Sequence, residues 1–333
     1  MSPSEGAAAV DAARASDESA FAELVESYRR ELQVHCYRML GSFEDSEDLV
    51  QETFLRAWRK RRSFEGRSSF RAWLYRIATN ACLDALERRP RVAAVHDGAQ
   101  PVAEVPWLQP FPDQLLEGIA ASDAEPEAEV VAKETIELAF IAAIQLLPPR
   151  QRAVLISRDV LGWTAAQSAA LLDISVAAVN SALQRARATL KEHLPRRRLD
   201  WAPGSDPSRE ERELLQRYMD ATERGDAAGI VELLRDDAFC AMPPEPKLYV
   251  GAEAIVEAWV QGGFGDDSWG HLRCVRTSAN TQPAVACYVK RAGDTEYRPL
   301  ALDVLRIEDG AVAEIIAFTL TPLLKALGLP PRL

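Results

Sequence analysis

Residues 45–62, DSEDLVQETFLRAWRKRR, read as one helix with two chemically opposed faces. At about 100° per residue, Val50, Phe54, Ala57 and Trp58 fall within one arc, while Asp45, Asp48, Glu52 and Arg59 lie on the far side and Gln51 sits at the border. The next stretch, FEGRSSFRAWLYRIATNACLDALERRPR (residues 64–91), opens with a Gly-containing turn and continues as a second helix. Its apolar stripe is Phe70, Trp73, Leu74, Ile77, Ala81 and Ala85. From Thr53 to Arg91 there are 11 Lys and Arg against 3 Asp and Glu, interleaved with Phe64, Phe70, Trp73 and Tyr75. Positive charge follows a phosphate backbone, and aromatic rings stack on unpaired bases at roughly 1 to 3 kcal/mol each. The composition fits opened DNA, although the pattern alone serves equally for an ordinary helix pair with aromatics inside and arginines outside.

A chain of 333 residues suggests two or three domains, and with 47% hydrophobic residues there is ample material for their cores. The five cysteines, Cys36, Cys82, Cys240, Cys274 and Cys287, lack CxxC spacing, so neither a zinc site nor a disulfide framework is suggested, and no cofactor is implied. The N-terminal residues lack both a basic start and an apolar run, and no later stretch reaches the ~18 apolar residues of a membrane span. A cytoplasmic protein is the expectation. The net charge of −11 is unevenly distributed: +5 over residues 138–200, −9 over 92–137 and −7 over 201–333. Two basic blocks are therefore separated by an acidic connector and followed by an acidic domain.

In chain order, Asp17 to Leu40 reads as a helix ended by Gly41, with His35 a half-buried packing residue rather than a ligand. Residues 92–131 carry five prolines and a run of acids, which exclude a long helix and a core, so this stretch is a linker. Within it Trp107-Leu108-Gln109-Pro110-Phe111-Pro112-Asp113 is either a local hydrophobic staple or a docking segment. Glu134 to Leu147 is helical, and Pro149 begins the next helix. Thr164 caps a short helix, Asp173-Ile174 turns, and Ser175 caps a longer one with Val179, Leu183, Ala186 and Leu190 inward. That is helix-turn-helix geometry, whose second helix enters the major groove. Asn180, Ser181, Gln184 and Arg185 then face bases or phosphates, with Arg187 and Lys191 nearer the backbone. Beyond a Pro/Gly linker come the helices Arg209–Arg224, 228–234 and 252–260. Strands are expected near 238–242, 270–277, 284–290, 299–308 and 312–318, with a hairpin at Asp309-Gly310. Helices followed by an antiparallel meander make an α+β domain.

Several of these strings resemble known families. Asp48-Leu49-Val50-Gln51-Glu52-Thr53-Phe54, Ser63-Phe64-Glu65-Gly66 and the run from Phe70 to Asn80 look like region 2 of bacterial sigma-70 factors, in particular the small extracytoplasmic-function (ECF) group. At its distance from that block, the helix-turn-helix resembles sigma region 4. The stretch from Leu234 through Ala252-Glu253-Ala254-Ile255, with the ending from Asp309 to Ile315, looks like a SnoaL-like domain, a cone with a central pocket. The resemblance implies a multidomain chain: an all-α region 2 bundle (17–91), an acidic Pro-rich linker (92–131), an all-α region 4 (132–198), a short linker (199–208) and an α+β cone (209–325).

It further implies that Asp48, Gln51 and Glu52 bind core RNA polymerase. Phe64, Ile77 and Asn80 would surround a flipped base of the −10 element, with Arg76, Arg88, Arg89 and Arg91 on nearby phosphates; region 4 would read the −35 element of promoter DNA. The acidic linker would lie in the channel through which RNA leaves the polymerase. One departure stands out: where related recognition helices carry early Arg or Lys, as in "TVKSR", this chain has Ala178-Val179-Asn180-Ser181-Ala182. Asn or Gln reads adenine better than guanine, which alters the −35 sequence expected. SnoaL relatives include enzymes that use a pocket carboxylate or histidine for proton transfer, and Asp303 and His271 are the candidates here. They are too few to imply catalysis. The implied function is promoter-directed transcription initiation, with the C-terminal domain as a modulator through a small-molecule or intramolecular ligand. The alternative is a helix-turn-helix regulator acting without polymerase and carrying a ligand-binding or enzymatic domain.

Overall fold

The computed structural model describes residues 18–64, 66, 68–89, 101–116, 136–194, 208–266, 269–321 and 323–333. They form two compact units, one drawn from residues 1–95 and 115–201, the other from residues 96–114 and 202–333.

The first unit is helical. Its N-terminal segment is two helices rather than one: α1 (Glu18–Glu26) and α2 (Arg29–Leu40). The break falls at Ser27-Tyr28, where the Ser27 hydroxyl donates to the Leu24 carbonyl at 2.7 Å and Tyr28 sets its ring edge-on to Phe70. Such side-chain capture of a carbonyl competes with the helical ladder. Helix α3 (Phe43–Lys60) begins where Ser42 accepts the Asp45 amide, with Glu44 and Asp45 in its first turn and Arg59 and Lys60 in its last, matching the helix dipole at both ends. Helix α4 (Phe70–Arg88) is capped by Ser69 in the same manner.

The expected stripe of α4 is buried at Phe70, Leu74, Ile77 and Ala81, but Tyr75, Thr79, Cys82 and Leu86 on adjoining faces are buried too. The reason is that α4 packs on α2 and α3 and also on α6 (Pro149–Leu155) and α7 (Ala165–Leu172). His35 of α2 is consequently fully buried, not half-buried, with Nε2 2.9 Å from the Thr79 hydroxyl and its ring tilted against Tyr75.

Helix α5 (Leu138–Gln145) and α6 bring Arg152 into this core. The buried guanidinium donates to the Ile144, Gln145 and Leu147 carbonyls at 2.8, 2.7 and 3.1 Å, to Gln145 Oε1 at 2.5 Å and to the Met39 carbonyl. Gln145 in turn donates to the Arg38 carbonyl at 3.1 Å and lies against Gly41, where a Cβ would sit 3.0 Å from its Cδ. The Arg38 and Met39 carbonyls, left open near the end of α2, are thus satisfied by residues over a hundred positions away. Pro149 stands at the first position of α6, as expected, and α6 widens into a π-turn over Ile156–Val160 before Gly162.

The second unit is a six-stranded sheet with α9 (Arg209–Arg224), α10 (Ala227–Leu233) and α11 (Ala252–Gln261) on its inner face. The strands are β1 (Leu234–Met242), β2 (Glu245–Val250), β3 (His271–Ala279), β4 (Gln282–Lys290), β5 (Arg298–Glu308) and β6 (Ala311–Thr319), in the order β2-β1-β6-β5-β4-β3. From β3 to β6 the meander is antiparallel as expected, and Asp309-Gly310 turns with both φ positive. The addition is that β1 joins β6 in parallel, which makes the sheet mixed. Leu214, Tyr218, Ile230, Ile255 and Phe264 of the helical layer meet Val285, Cys287, Leu305 and Ile315 of the sheet.

Part of the linker belongs to this unit. Val102, Val105, Leu108 and Phe111 are buried, so the expectation that charge keeps the whole linker out of a core fails for them. Phe111 and Asn280 exchange hydrogen bonds, Phe111 N–H to Asn280 Oδ1 at 2.7 Å and Asn280 N–H to the Phe111 carbonyl at 2.9 Å. Asp113 accepts the Thr281 amide at 2.7 Å. These bonds hold a β3–β4 turn in which Asn280 and Thr281 both have positive φ, a conformation unfavourable for a β-branched residue. Of the two readings of residues 107–113, docking onto the C-terminal domain is the one found.

Candidate nucleic-acid and polymerase interface

Three surfaces carry the residues singled out in the sequence. On α3, Asp48 and Gln51 are exposed and Glu52 is partly so, while Val50, Thr53 and Ala57 on the other side are buried. Glu52 accepts from Arg56 at 2.8 Å, and Arg56 also reaches Asp84 at 2.7 Å. Leu55, 52% exposed, lies one turn beyond Gln51 and two beyond Asp48, so the acidic stripe ends on an apolar residue. Burial, then Asp48 and Glu44, push the Glu47 carboxyl up, as expected where acids crowd one face.

The second surface is α4 and the turn before it. Arg76, Asn80 and Arg88 are exposed. Phe64 and Ile77 are buried, and Phe64 packs on Phe70 at 5.4 Å and Trp73 at 5.3 Å between ring centroids. Phe70 is a core residue rather than a stacking platform. Arg89 is engaged within the protein: it donates to the Leu40 carbonyl at 3.0 Å and pairs with Asp45, and burial pushes its pKa down. Arg91 lies outside the described residues.

The third surface is the helix-turn-helix. Thr164 and Gln167 form a reciprocal capping box on α7, Asp173 takes the left-handed conformation at the turn, and Ser175 caps α8 (Val176–His193). The two helices meet at 99°. Val179, Leu183, Ala186 and Leu190 are buried, while Asn180, Ser181, Gln184, Arg185, Arg187 and Lys191 are exposed. Arg187 is held by Asp159 in a two-pronged ion pair at 2.7 and 2.8 Å, which raises its pKa and fixes α8 to the preceding turn.

The two pocket candidates of the α+β unit do not share a site. Asp303 is 7% exposed; Tyr218 donates to it at 3.0 Å and the Cys287 thiol lies 3.7 Å away. Burial pushes the Asp303 carboxyl up to about 6. His271 is exposed and lines a surface groove of about 320 Å³ with Asp220, Glu223, Arg224, Arg273 and Tyr297. No group of three His, Cys, Asp or Glu among the described residues could hold a metal ion. Sequence reasoning missed Arg152, Asp113 and the Cys274–Cys287 pair. Arg152 shares α6 with Arg150 and Gln151, so nothing in its own stretch marks it as the buried one; Asp113 depends on a partner remote in the chain, and the cysteine pair on the register of two neighbouring strands.

Comparison with known proteins agrees with this anatomy. The family profile described as Sigma-70 region 2 matches residues 24–92, that of Sigma-70 region 4 matches 137–190, and that of the SnoaL-like domain matches 215–315. The ECF RNA polymerase sigma factor SigG of Mycobacterium tuberculosis is 43% identical over 323 residues, covering 94% of this chain and 85% of its own. SigW of Bacillus subtilis is 30% identical over 178 residues, 54% of this chain and 90% of its own. The crystal structure of Mycobacterium tuberculosis SigJ has a TM-score of 0.57 at 22% identity and covers 93% of this chain and 99% of its own, a likeness of fold.

The chain belongs to the ECF sigma factors of the sigma-70 family, with a SnoaL-like domain following region 4. It binds core RNA polymerase and promoter DNA and directs the polymerase to promoters; it is not an enzyme. No single helix among the described residues is long and apolar enough to cross a membrane.

Proposed function

We propose that Asp48, Gln51 and Glu52 form the contact with core polymerase, that Arg76, Asn80 and Arg88 meet the −10 strand with Phe64 and Ile77 beneath them, and that Asn180, Ser181, Gln184, Arg185 and Lys191 read the −35 element. The acidic stripe of α3 carries this reading, because it presents Asp48 and Gln51 to solvent opposite a face buried at Val50, Thr53 and Ala57, and a basic surface complements it. Arg187 positions α8 through Asp159 and Arg89 anchors the end of α4, so both act on DNA through the helices they hold. The work is done in the cytoplasm.

The SnoaL-like domain modulates this activity. Support comes from residues 101–113, which connect regions 2 and 4 yet are bonded into the C-terminal domain through Phe111, Asn280, Asp113 and Thr281. A connector fastened in this way restricts how far regions 2 and 4 separate, and a ligand shifts promoter activity only if it binds the fastened and released states differently. Reconstitution with core polymerase tests both parts. Glu52→Lys is expected to weaken core binding at least tenfold in a folded chain, and Phe111→Ser, which loosens the connector, is expected to change transcription without changing core affinity. Unchanged core affinity for Glu52→Lys removes the assignment of α3, and unchanged transcription with Phe111→Ser removes the modulation.

A further inference from the structure

The cone interior holds a pair of thiols that sigma activity does not use. The antiparallel register sets Cys274 of β3 opposite Cys287 of β4, with the sulfurs 4.0 Å apart. The Cys274 amide points away from β4 and donates to Glu223 Oε1 at 2.7 Å. An antiparallel residue directs its N–H and C=O to the same side, so this is a non-hydrogen-bonded pair, the closer class with Cα atoms about 4.5 Å apart. That spacing lies within the range disulfides span. Both cysteines are free.

The surroundings supply a proton acceptor and a route of entry. The Cys287 thiol is directed at Asp303 Oδ2, 3.7 Å away, the oxygen that also accepts the Tyr218 hydroxyl. Leu272 and Arg273, the two residues before Cys274, line the surface groove together with Glu223, which binds the Cys274 amide. Cys274 follows these two residues on β3 and is itself 7% exposed. Hydrogen bonding to Cys274, with burial, pushes the Cys287 thiol up. Cys274, which adjoins the groove-lining Leu272 and Arg273, is the thiol that an oxidant entering there meets first.

We propose that Cys274 and Cys287 are an oxidative modification site that closes to an intramolecular disulfide when the chain meets a hydroperoxide. The Cys274 sulfur attacks the peroxide oxygen, the O–O bond breaks, and the leaving oxygen takes the thiol proton, giving a sulfenic acid and one water or alcohol. Cys287 then passes its proton to Asp303 and attacks the Cys274 sulfur. The S–O bond breaks and the hydroxide takes up a proton and leaves as water. Two thiols and one hydroperoxide thus give one disulfide, the two electrons lost by sulfur having reduced the O–O bond.

The test uses the reduced full-length chain treated with hydrogen peroxide, alkylated, digested without reductant and mapped by mass spectrometry. The expected result is a fall from five free thiols to three, with Cys274 and Cys287 in one linked peptide pair that dithiothreitol separates. In Cys287→Ser, Cys274 is expected to react with dimedone, since its sulfenic acid then has no resolving thiol. Five retained thiols, a linkage through Cys36 and Cys82 in its place, or a Cys274 that passes to sulfinic acid without bridging would each overturn the proposal. Should Cys287→Ser fail to fold, the map of the unaltered chain decides alone.

Discussion

The two helices proposed to face DNA, Phe70–Arg88 and Val176–His193, are nearly equal in length but hold the residues proposed for recognition in opposite ways. On Val176–His193 burial is confined to one side, and the residues assigned to −35 reading are already in solvent. On Phe70–Arg88 burial reaches around most of the helix, and Phe64 and Ile77, assigned to the −10 base, are inside the core. A groove reader needs only a rigid rod with a polar face. A flipped base needs a cavity, and here Phe64, Phe70 and Trp73 fill the space by packing on one another. Uncovering an aromatic side chain costs about 1.5 to 3 kcal/mol, close to the 1 to 3 kcal/mol that one base stack returns. On the proposed assignment the −35 surface is therefore preformed, and the −10 surface is latent.

Acid should separate the two helices most strongly, because His35 supports Phe70–Arg88 from below through Thr79 and Tyr75. Burial first, then Arg38 and Arg71, push the His35 pKa down to about 3 from 6.5. A folded pKa below the unfolded one means that the contribution is complete above about pH 6.5 and is lost as pH falls toward about 3, on the order of 5 kcal/mol in all. Trp73 emission should report loosening of this helix below pH 6, and His35→Gln should flatten the response. Asp303 behaves oppositely. Its folded pKa of about 6 lies above the unfolded value of 3.8, so its contribution to the α+β unit grows by an order of 3 kcal/mol as pH falls from about 6 to about 4. If urea unfolding of both units weakens in parallel from pH 7 to 4.5, these assignments are wrong.

Arg152→Ala comes next. It strips donors from four buried carbonyls and the Gln145 amide, and it should cost the helical unit about 3 kcal/mol in urea unfolding. Because the Met39 carbonyl is one of those acceptors, the loss should raise exposure near Phe64 more than near Gln184, measured by hydrogen exchange. The smallest effect belongs to the reading residues themselves. Gln184→Ala should weaken binding to duplex −35 DNA by about 1 to 2 kcal/mol even without polymerase, whereas Asn80→Ala should leave duplex binding unchanged and alter base preference only on melted −10 DNA with polymerase present. A duplex defect in Asn80→Ala would end the distinction between a preformed and a latent surface.

Local chemistry makes much of the chain legible from its residues alone. Ser42, Ser69, Thr164 and Ser175 start their helices because a side-chain oxygen next to an open amide is a contact within three residues, and Asp309-Gly310 turns because its own backbone tolerates positive φ. The inward and outward faces of Val176–His193 follow from periodicity because that helix is buried on one side only. Phe70–Arg88 resists the same reading: periodicity finds one apolar stripe, and a helix packed between two pairs of neighbours has no polar side wide enough to define it. Which aromatics are core and which are free, the pairing of β1 with β6, the seat of residues 101–113, and the meeting of Cys274, Cys287 and Asp303 are decided by tertiary structure alone. Each depends on residues far apart in the chain, and the free energy that joins them exists only once the chain has closed around them.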